Sequence, residues 1–458
     1  MSRSWTRAWL FGAVLGLLAM PAVADDGREE RLRKEIESLR SMVESQADQI
    51  DDQKAEIDAL RVDGELNESA VERAVDDVLA RRAAEGSGTA GFMGGKFRLN
   101  DGGDGNSLEI GGRLHFDLLI FETNTPDQAN RFRFRRVRLH ALGTVADDWR
   151  YKVEYDFAAS ALRDAYIAVF LSDLLGLESE GIASIEMSAG QRKVPFSRTE
   201  LLSSNSLNTI ERPMIVRSLA PAFDQGLFFS NSYMDGRLWW MLSCTNGTDG
   251  DDELAYTGRI VFNPMMGDEG SMLEPLSVGA SANYQSNTDG STYNVSTPGG
   301  GGYSSGSGLL PSGSFSRGED VRLGLDAHWR TGPFGFTTEC LYGRQEDAFG
   351  DDDFELWGVY CQFNYMICGG DWSENPKEGL EAVLQFEYVE AKAGSDDADL
   401  WACTLGFNYY FNKHVRFMMN YVATDLSHDD VGTPHFEDGS YSSHGLDHNL
   451  LFRLQLVF

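Results

Sequence analysis

Residues 131–157 read RFRFRRVRLHALGTVADDWRYKVEYDF, and the last nine of them decide the fold. In an extended chain, successive side chains point to opposite faces. Trp149, Tyr151, Val153, Tyr155 and Phe157 therefore share one face, while Arg150, Lys152, Glu154 and Asp156 share the other. The first ten residues alternate in the same way, with a fault. Phe132 and Phe134 oppose Arg131, Arg133 and Arg135; then Val137 and Leu139 oppose Arg136, Arg138 and His140. A one-residue slip turns every later side chain to the wrong face unless an extra residue absorbs it. The pattern predicts a β-bulge at Arg135-Arg136 that keeps the arginines on the polar side.

Segments of this kind recur to the end of the chain. VYCQFNYMI (359–367) sets Val359, Cys361, Phe363, Tyr365 and Ile367 against Tyr360, Gln362, Asn364 and Met366. LWACTLGFNYYF (400–411) places Trp401, Cys403, Leu405, Phe407, Tyr409 and Phe411 on one side. The count is about sixteen, even as a single-chain outer-membrane barrel requires. Alternation alone also suits a soluble sandwich. The length and number of the segments, and the aromatics crowded on the apolar face near segment ends, favour a membrane barrel.

Connection lengths carry the same rhythm. The short turns VADD, DG, TGP and FNKH alternate with the long stretches 195–225, 286–321 and 427–447, and with the acidic loops DGDDE, EDAFGDDD and SDDAD. A barrel with both ends in the periplasm has short turns on that side and longer loops outside. Two connections on the short side, near 172–181 and 368–379, run longer. The alternation continues to Phe458, as on the last strand of outer-membrane barrel proteins. Lipid offers no partner to an open sheet edge, so the sheet must close. The expected fold is an all-β transmembrane barrel of about 16 antiparallel strands over 108–458, preceded by an α-helical coiled coil.

The remaining organisation lies at the N-terminus. Residues 1–24 have a basic start, a short apolar run and a small-x-small end at Ala22-Val23-Ala24, as a cleaved secretory signal does. Across 25–85, Leu32, Ile36, Leu39, Val43, Ile50, Ile57 and Leu60 follow the four-three spacing of a heptad seam. Such a stripe is buried only against other helices, so this periplasmic segment is expected to oligomerise. Residues 86–107 begin EGSGTAGFMGG and read as a Gly-rich linker.

The chain carries 39 basic and 71 acidic residues, net −32. An acidic exported chain gives no support to nucleic-acid binding. Five cysteines without paired spacing do not read as a disulfide framework but as small apolar strand residues. In a barrel of this size the polar face lines a water-filled bore. There Arg131, Arg133, Arg135, Arg136 and Arg138, with Lys152 and Arg163 on neighbouring segments, either attract anions or pair with Glu154, Asp156 and Asp164 to stiffen the wall.

The blocks RFRFRRVRLHALGTVADDWRYKVEYDFA, LRDAYIAVF, AGQRKVPFSRTELLSSNSLNTIERPM and SLAPAFDQGL, in this order, resemble the phosphate-selective porin O/P family. The resemblance implies a trimeric sixteen-stranded outer-membrane porin with a ladder of lumen arginines. The loop at 195–225 is then expected to fold into the bore, with Ser203, Ser204 and Arg212 in the constriction and Lys193 and Arg198 nearby. Where the family is expected to carry a lysine, this chain has Glu200, which opposes a multivalent anion. The function implied is passive diffusion of small anions, phosphate among them. The rival is a tether whose stalk joins the outer membrane to the cell wall. Three N-termini would suit a three-stranded stalk.

Other candidates are weaker. His428, His435, His444 and His448 lie in the last loop without a zinc spacing. The acidic loops read as solvated, or as bridged to lipopolysaccharide through divalent cations. Ser443-His444 has no supporting motif for an enzyme. No cofactor is implied.

Overall fold

The structure is a computed structural model. It describes residues 89–458 except 94–95, 102–104, 123–129, 177–183, 248–253, 269, 289–292, 294, 297–301, 304–317, 350–351, 370–377, 394–395 and 429–445. The expected signal peptide, the coiled coil and most of the histidine-bearing last loop lie outside the described residues.

The first described strands are β1 (Thr89–Met93) and β2 (Lys96–Asn100). They pair antiparallel, and β2 pairs with the start of β3 (Ser107–Glu122). Part of the stretch read as a linker is thus a hairpin. Its sequence, TAGFM and KFRLN, carries a weak alternation that the flanking glycines mask.

The barrel proceeds through β4 (Arg131–Val145), β5 (Trp149–Asp156), β6 (Ala161–Phe170), β7 (Glu186–Lys193), β8 (Phe223–Tyr233), β9 (Leu238–Thr245), β10 (Ala255–Phe262) and β11 (Ser277–Thr288). A two-residue pair, β12 (Val295–Ser296) and β13 (Gly302–Tyr303), interrupts the series. It resumes with β14 (Gly318–Thr331), β15 (Phe334–Phe349), β16 (Asp352–Gly369), β17 (Gly379–Ala393), β18 (Asp396–Tyr410), β19 (Val415–His428) and β20 (Asp447–Val457). Each barrel strand pairs antiparallel with the next, and β20 pairs with β3 from His448↔Glu122 to Val457↔Arg113. Sixteen strands therefore close into one barrel.

The burial pattern is the reverse of that of a water-soluble fold. Phe363, Tyr365, Ile367, Phe386, Leu405 and Tyr409 are exposed on the outside, whereas Gln362, Asn364, Gln385, Thr404 and Asn408 are buried inside. A chain meant for lipid places apolar side chains outward and polar ones in the lumen. Among the described residues no helix is long and apolar enough to cross a membrane; strands make the crossing.

The bulge falls where the alternation slips. Phe134 pairs with Phe116 and Arg136 with His115, leaving Arg135 as the extra residue. Phe132 and Phe134 stay outward, with their rings 5.8 Å and 5.0 Å from that of Phe116. After the bulge Val137 and Leu139 remain on the outer face. Arg133, Arg135, Arg136 and Arg138 all turn inward.

Two loops are shorter than expected. β15 runs to Phe349 before β16 starts at Asp352, and β17 to Ala393 before β18 starts at Asp396. The acidic residues there are largely strand. Strands of 15 to 18 residues exceed the roughly 9–11 that span a bilayer, so their loop ends stand clear of the hydrocarbon. The connection 263–276 joins the two longer ones on the short-turn side; the one at 171–185 includes α1 (Leu171–Leu175).

The connection 194–222 folds into the bore and carries α2 (Arg198–Leu201) and α3 (Met214–Leu219). Phe196, Met214, Ile215, Val216 and Leu219 form an apolar core with Leu341, Phe354, Leu356, Tyr360, Val389, Ala391, Leu400 and Ala402 of β15–β18. Glycine on the wall makes this close approach possible. A Cβ at Gly358 would stand 2.5 Å from the Tyr388 carbonyl oxygen and 3.1 Å from Ile215. One side of the lumen is therefore filled by the loop.

Candidate pore constriction

Wall carboxylates hold the inserted loop. Glu339 accepts from Ser197 Oγ at 2.7 Å and from the backbone N–H groups of Arg198 and Thr199 at 3.0 and 2.9 Å. Glu381 accepts from Asn208 at 2.7 Å, and also from Asn364, Asn408 and Tyr410. Glu387 accepts from the Met214 N–H at the start of α3. Buried backbone donors of a loop need such partners.

The loop returns one carboxylate to the wall. Glu211 lies 2.6 Å from Arg135, 3.1 Å from Arg133, 3.4 Å from Arg453 and 3.7 Å from Arg136. Asp117 holds Arg453 at 2.7 Å and Arg133 at 3.4 Å. Burial opposes ionisation of Glu211, yet Arg135, Arg136 and Arg453 keep its carboxyl well below the ordinary carboxylate range. The bulge presents Arg135 and Arg136 side by side, and so builds this latch.

Three of the five arginines of RFRFRRVRLH thus bind the loop. Arg131 does not join them: it is exposed, with its guanidinium 6.0 Å from the Phe121 ring. Arg138 alone follows the expected pairing, with Glu154 at 3.0 Å and Asp156 at 2.7 Å.

Around Arg138 the wall meets the paired serines. Arg113 of β3 donates to Ser203 Oγ and Ser204 Oγ, both at 3.1 Å, and to Glu154 at 2.8 Å. Lys152 pairs with Asp164 at 2.6 Å, and Arg163 lies 3.7 Å from Asp156. Arg212 holds Glu200 at 2.9 Å and donates to the carbonyls of Thr199, Glu200 and Leu202. Lys193 donates to the carbonyls of Glu200, Leu201 and Leu202. Glu200 is accordingly met by Arg212 and does not face the lumen as a bare charge. Six cations (Arg113, Arg138, Lys152, Arg163, Lys193 and Arg212) stand against four carboxylates (Glu154, Asp156, Asp164 and Glu200).

Arg198 lies elsewhere, lining a cavity with His328, Arg330 and Arg416. Sequence reasoning missed Arg113, Glu211 and Arg453. The alternation of GGRLHFD (111–117) and LFRLQL (451–456) marks Arg113, Asp117 and Arg453 as inward-facing, but only barrel closure joins Arg453 to Asp117, and only insertion of the loop brings Ser203 to Arg113 and Glu211 to Arg453.

A closed barrel of sixteen antiparallel strands, apolar outside and narrowed by an inward loop, defines an outer-membrane porin. A profile of the family described as phosphate-selective porin O and P matches residues 108–455, and the chain belongs to that family. It is 23% identical over 378 residues to Porin O of Pseudomonas aeruginosa, covering 69% of this chain and 82% of that protein. The fold resembles that of the trimer form of OmpT from Vibrio cholerae, with a TM-score of 0.51, 13% identity, and coverage of 78% of this chain and all of that one. It likewise resembles an anion-selective porin from Comamonas acidovorans, with a TM-score of 0.50, 12% identity and coverage of 77% and 100%. Family and barrel point to a channel rather than an enzyme.

Proposed function

We propose that this porin passes small anions by passive diffusion through a constriction formed by Arg113, Arg138, Arg163, Arg212, Lys152 and Lys193 with Ser203 and Ser204. The observation that carries the reading is the Arg113 contact. One guanidinium bridges the paired loop serines to the wall, within a group where cations outnumber carboxylates. Preorganised guanidinium and hydroxyl donors replace part of an anion's hydration shell without closing around it, and a pore needs this balance for release. The family and the anion-selective Comamonas porin support the same sign.

Phosphate is the anion to test, because Arg212 offsets the Glu200 charge that would otherwise disfavour it. Added phosphate is expected to reduce chloride current through single channels, and the double change Ser203→Ala, Ser204→Ala to relieve that block. Undiminished chloride current at millimolar phosphate would confine the function to general anion diffusion. Assembly as a homotrimer among outer-membrane lipid and lipopolysaccharide, with the 25–85 segment as a periplasmic stalk, belongs to the same proposal; OmpT's trimer form supports the trimer.

A further inference from the structure

A cavity of about 200 Å³ lies between the loop, at Thr199, Leu202 and Ser206–Thr209, and the facing wall of β14, β15, β16, β18 and β19. Arg113, Arg138, Ser203, Ser204 and Arg212 of the constriction are not among its walls. Three guanidiniums line it, those of Arg198, Arg330 and Arg416, and among the described residues no carboxylate does. Among the described residues Arg198 and Arg416 pair with no Asp or Glu, unlike Arg113, Arg133, Arg135, Arg138 and Arg453.

Neighbouring acids bind other groups. Glu339 accepts from Ser197, the N–H groups of Arg198 and Thr199, and Tyr360. Glu381 is taken by Asn208, Asn364, Asn408 and Tyr410. Asp326 pairs with Arg259 at 2.7 Å through Oδ2, and its Oδ1 has no hydrogen bond among the described residues. Two of the cavity's cations have donors to spare. Arg198 is half-buried, and its guanidinium makes no hydrogen bond with any described residue. Arg416 is 3% exposed. It spends its terminal nitrogens on Asn205 O, Gln455 and Tyr410, yet its buried Nε has no partner among the described residues. Gln362 and Asn208 add neutral amides to the walls. Buried cationic donors without an acid partner are costly unless an anion fills the place. The volume holds a small anion with a few waters, each about 30 Å³.

We propose that this cavity is a second oxyanion site, separate from the constriction, in which Arg198, Arg330 and Arg416 hold a small multivalent oxyanion. Arg330 and Arg416 sit at the short-turn ends of β14 and β19, the end that faces the periplasm in single-chain barrels. Arg198, Thr199 and Ser206–Thr209 belong to the loop, so an occupant ties the loop to the β14–β19 wall.

The test is a crystal structure of the solubilised full chain grown with selenate, located by its anomalous scattering. Density is expected between Arg198, Arg330 and Arg416, retained in the Ser203→Ala, Ser204→Ala variant. Arg198→Gln is expected to abolish it and to weaken selenate binding at that site about tenfold, as loss of one charge-assisted donor does. Gln362→Leu serves as a second variant that leaves the loop sequence intact, with a smaller loss expected. An empty cavity, whether or not selenate appears beside Arg113, would overturn the site; so would density unchanged by both substitutions. The anion-porin reading fails separately, through cation selectivity in a bilayer, whatever selenate does here.

Discussion

The β3–β7 wall and the β14–β18 wall obey the same alternation and do opposite work. On the first, the inward face carries Arg113, Arg138, Glu154, Asp156 and Asp164, closely paired and set against the loop serines. On the second, Leu341, Phe354, Leu356, Val389 and Leu400 receive the loop's apolar residues, and Glu339, Glu381 and Glu387 fix its backbone and amides. Charge shapes the passage on one side; apolar burial and neutral donors hold the loop on the other. Alternation tells which way a side chain points, and the loop decides whether that side is passage or support.

Breaking the latch between the two is expected to have the largest effect. Glu211→Ala leaves Arg133 and Arg453 with Asp117 as their one paired carboxylate among the described residues, and Arg135 and Arg136 with none. Removing one partner of a buried ion pair costs about 3–5 kcal/mol, so thermal unfolding should fall and single-channel conductance become larger and noisier. An unchanged trace would mean that the loop is held by the far wall alone. Gly358→Val attacks that far wall. Its side chain meets the Tyr388 carbonyl and Ile215, an overpacking cost of roughly 1–3 kcal/mol that should displace α3 and shift the melting curve.

Deleting Arg135 tests the bulge. Phe134↔Phe116 and Arg136↔His115 already pair on either side of it, so the barrel should still fold with one Glu211 contact fewer. A misfolded deletion variant, judged by far-ultraviolet dichroism, would show that the bulge is needed for more than carrying the extra arginine. Arg131→Ala should change stability by less than about 0.5 kcal/mol and leave selectivity alone, since Arg131 is exposed and outside the latch.

Much of this was legible in the sequence, and the part that was not has a physical cause. The faces of 149–157, 359–367 and 400–411 and the slip at Arg135-Arg136 follow from period-2 patterning, whereas the inward loop was implied by the family resemblance. Partner choice does not. Arg113 finds Ser203 across 90 residues because the loop folds into the bore, and Arg453 finds Asp117 across 336 because closure of the barrel joins its two ends. The expected arginine ladder therefore divides into a latch, a constriction member and an exposed Arg131. One signal of the loop's landing place was present: Phe354, Leu356, Val389, Ala391, Leu400 and Ala402 are apolar on the face that should have been polar.

Under the proposed function, local lumen charge and not the net −32 of the chain selects the permeating ion. Reversal potentials of single channels in a planar bilayer under a KCl gradient decide between the two. The wild type should show the sign of anion preference, and Arg113→Gln should move the potential toward that of a non-selective pore. A wild-type potential of cation-selective sign would overturn the anion reading.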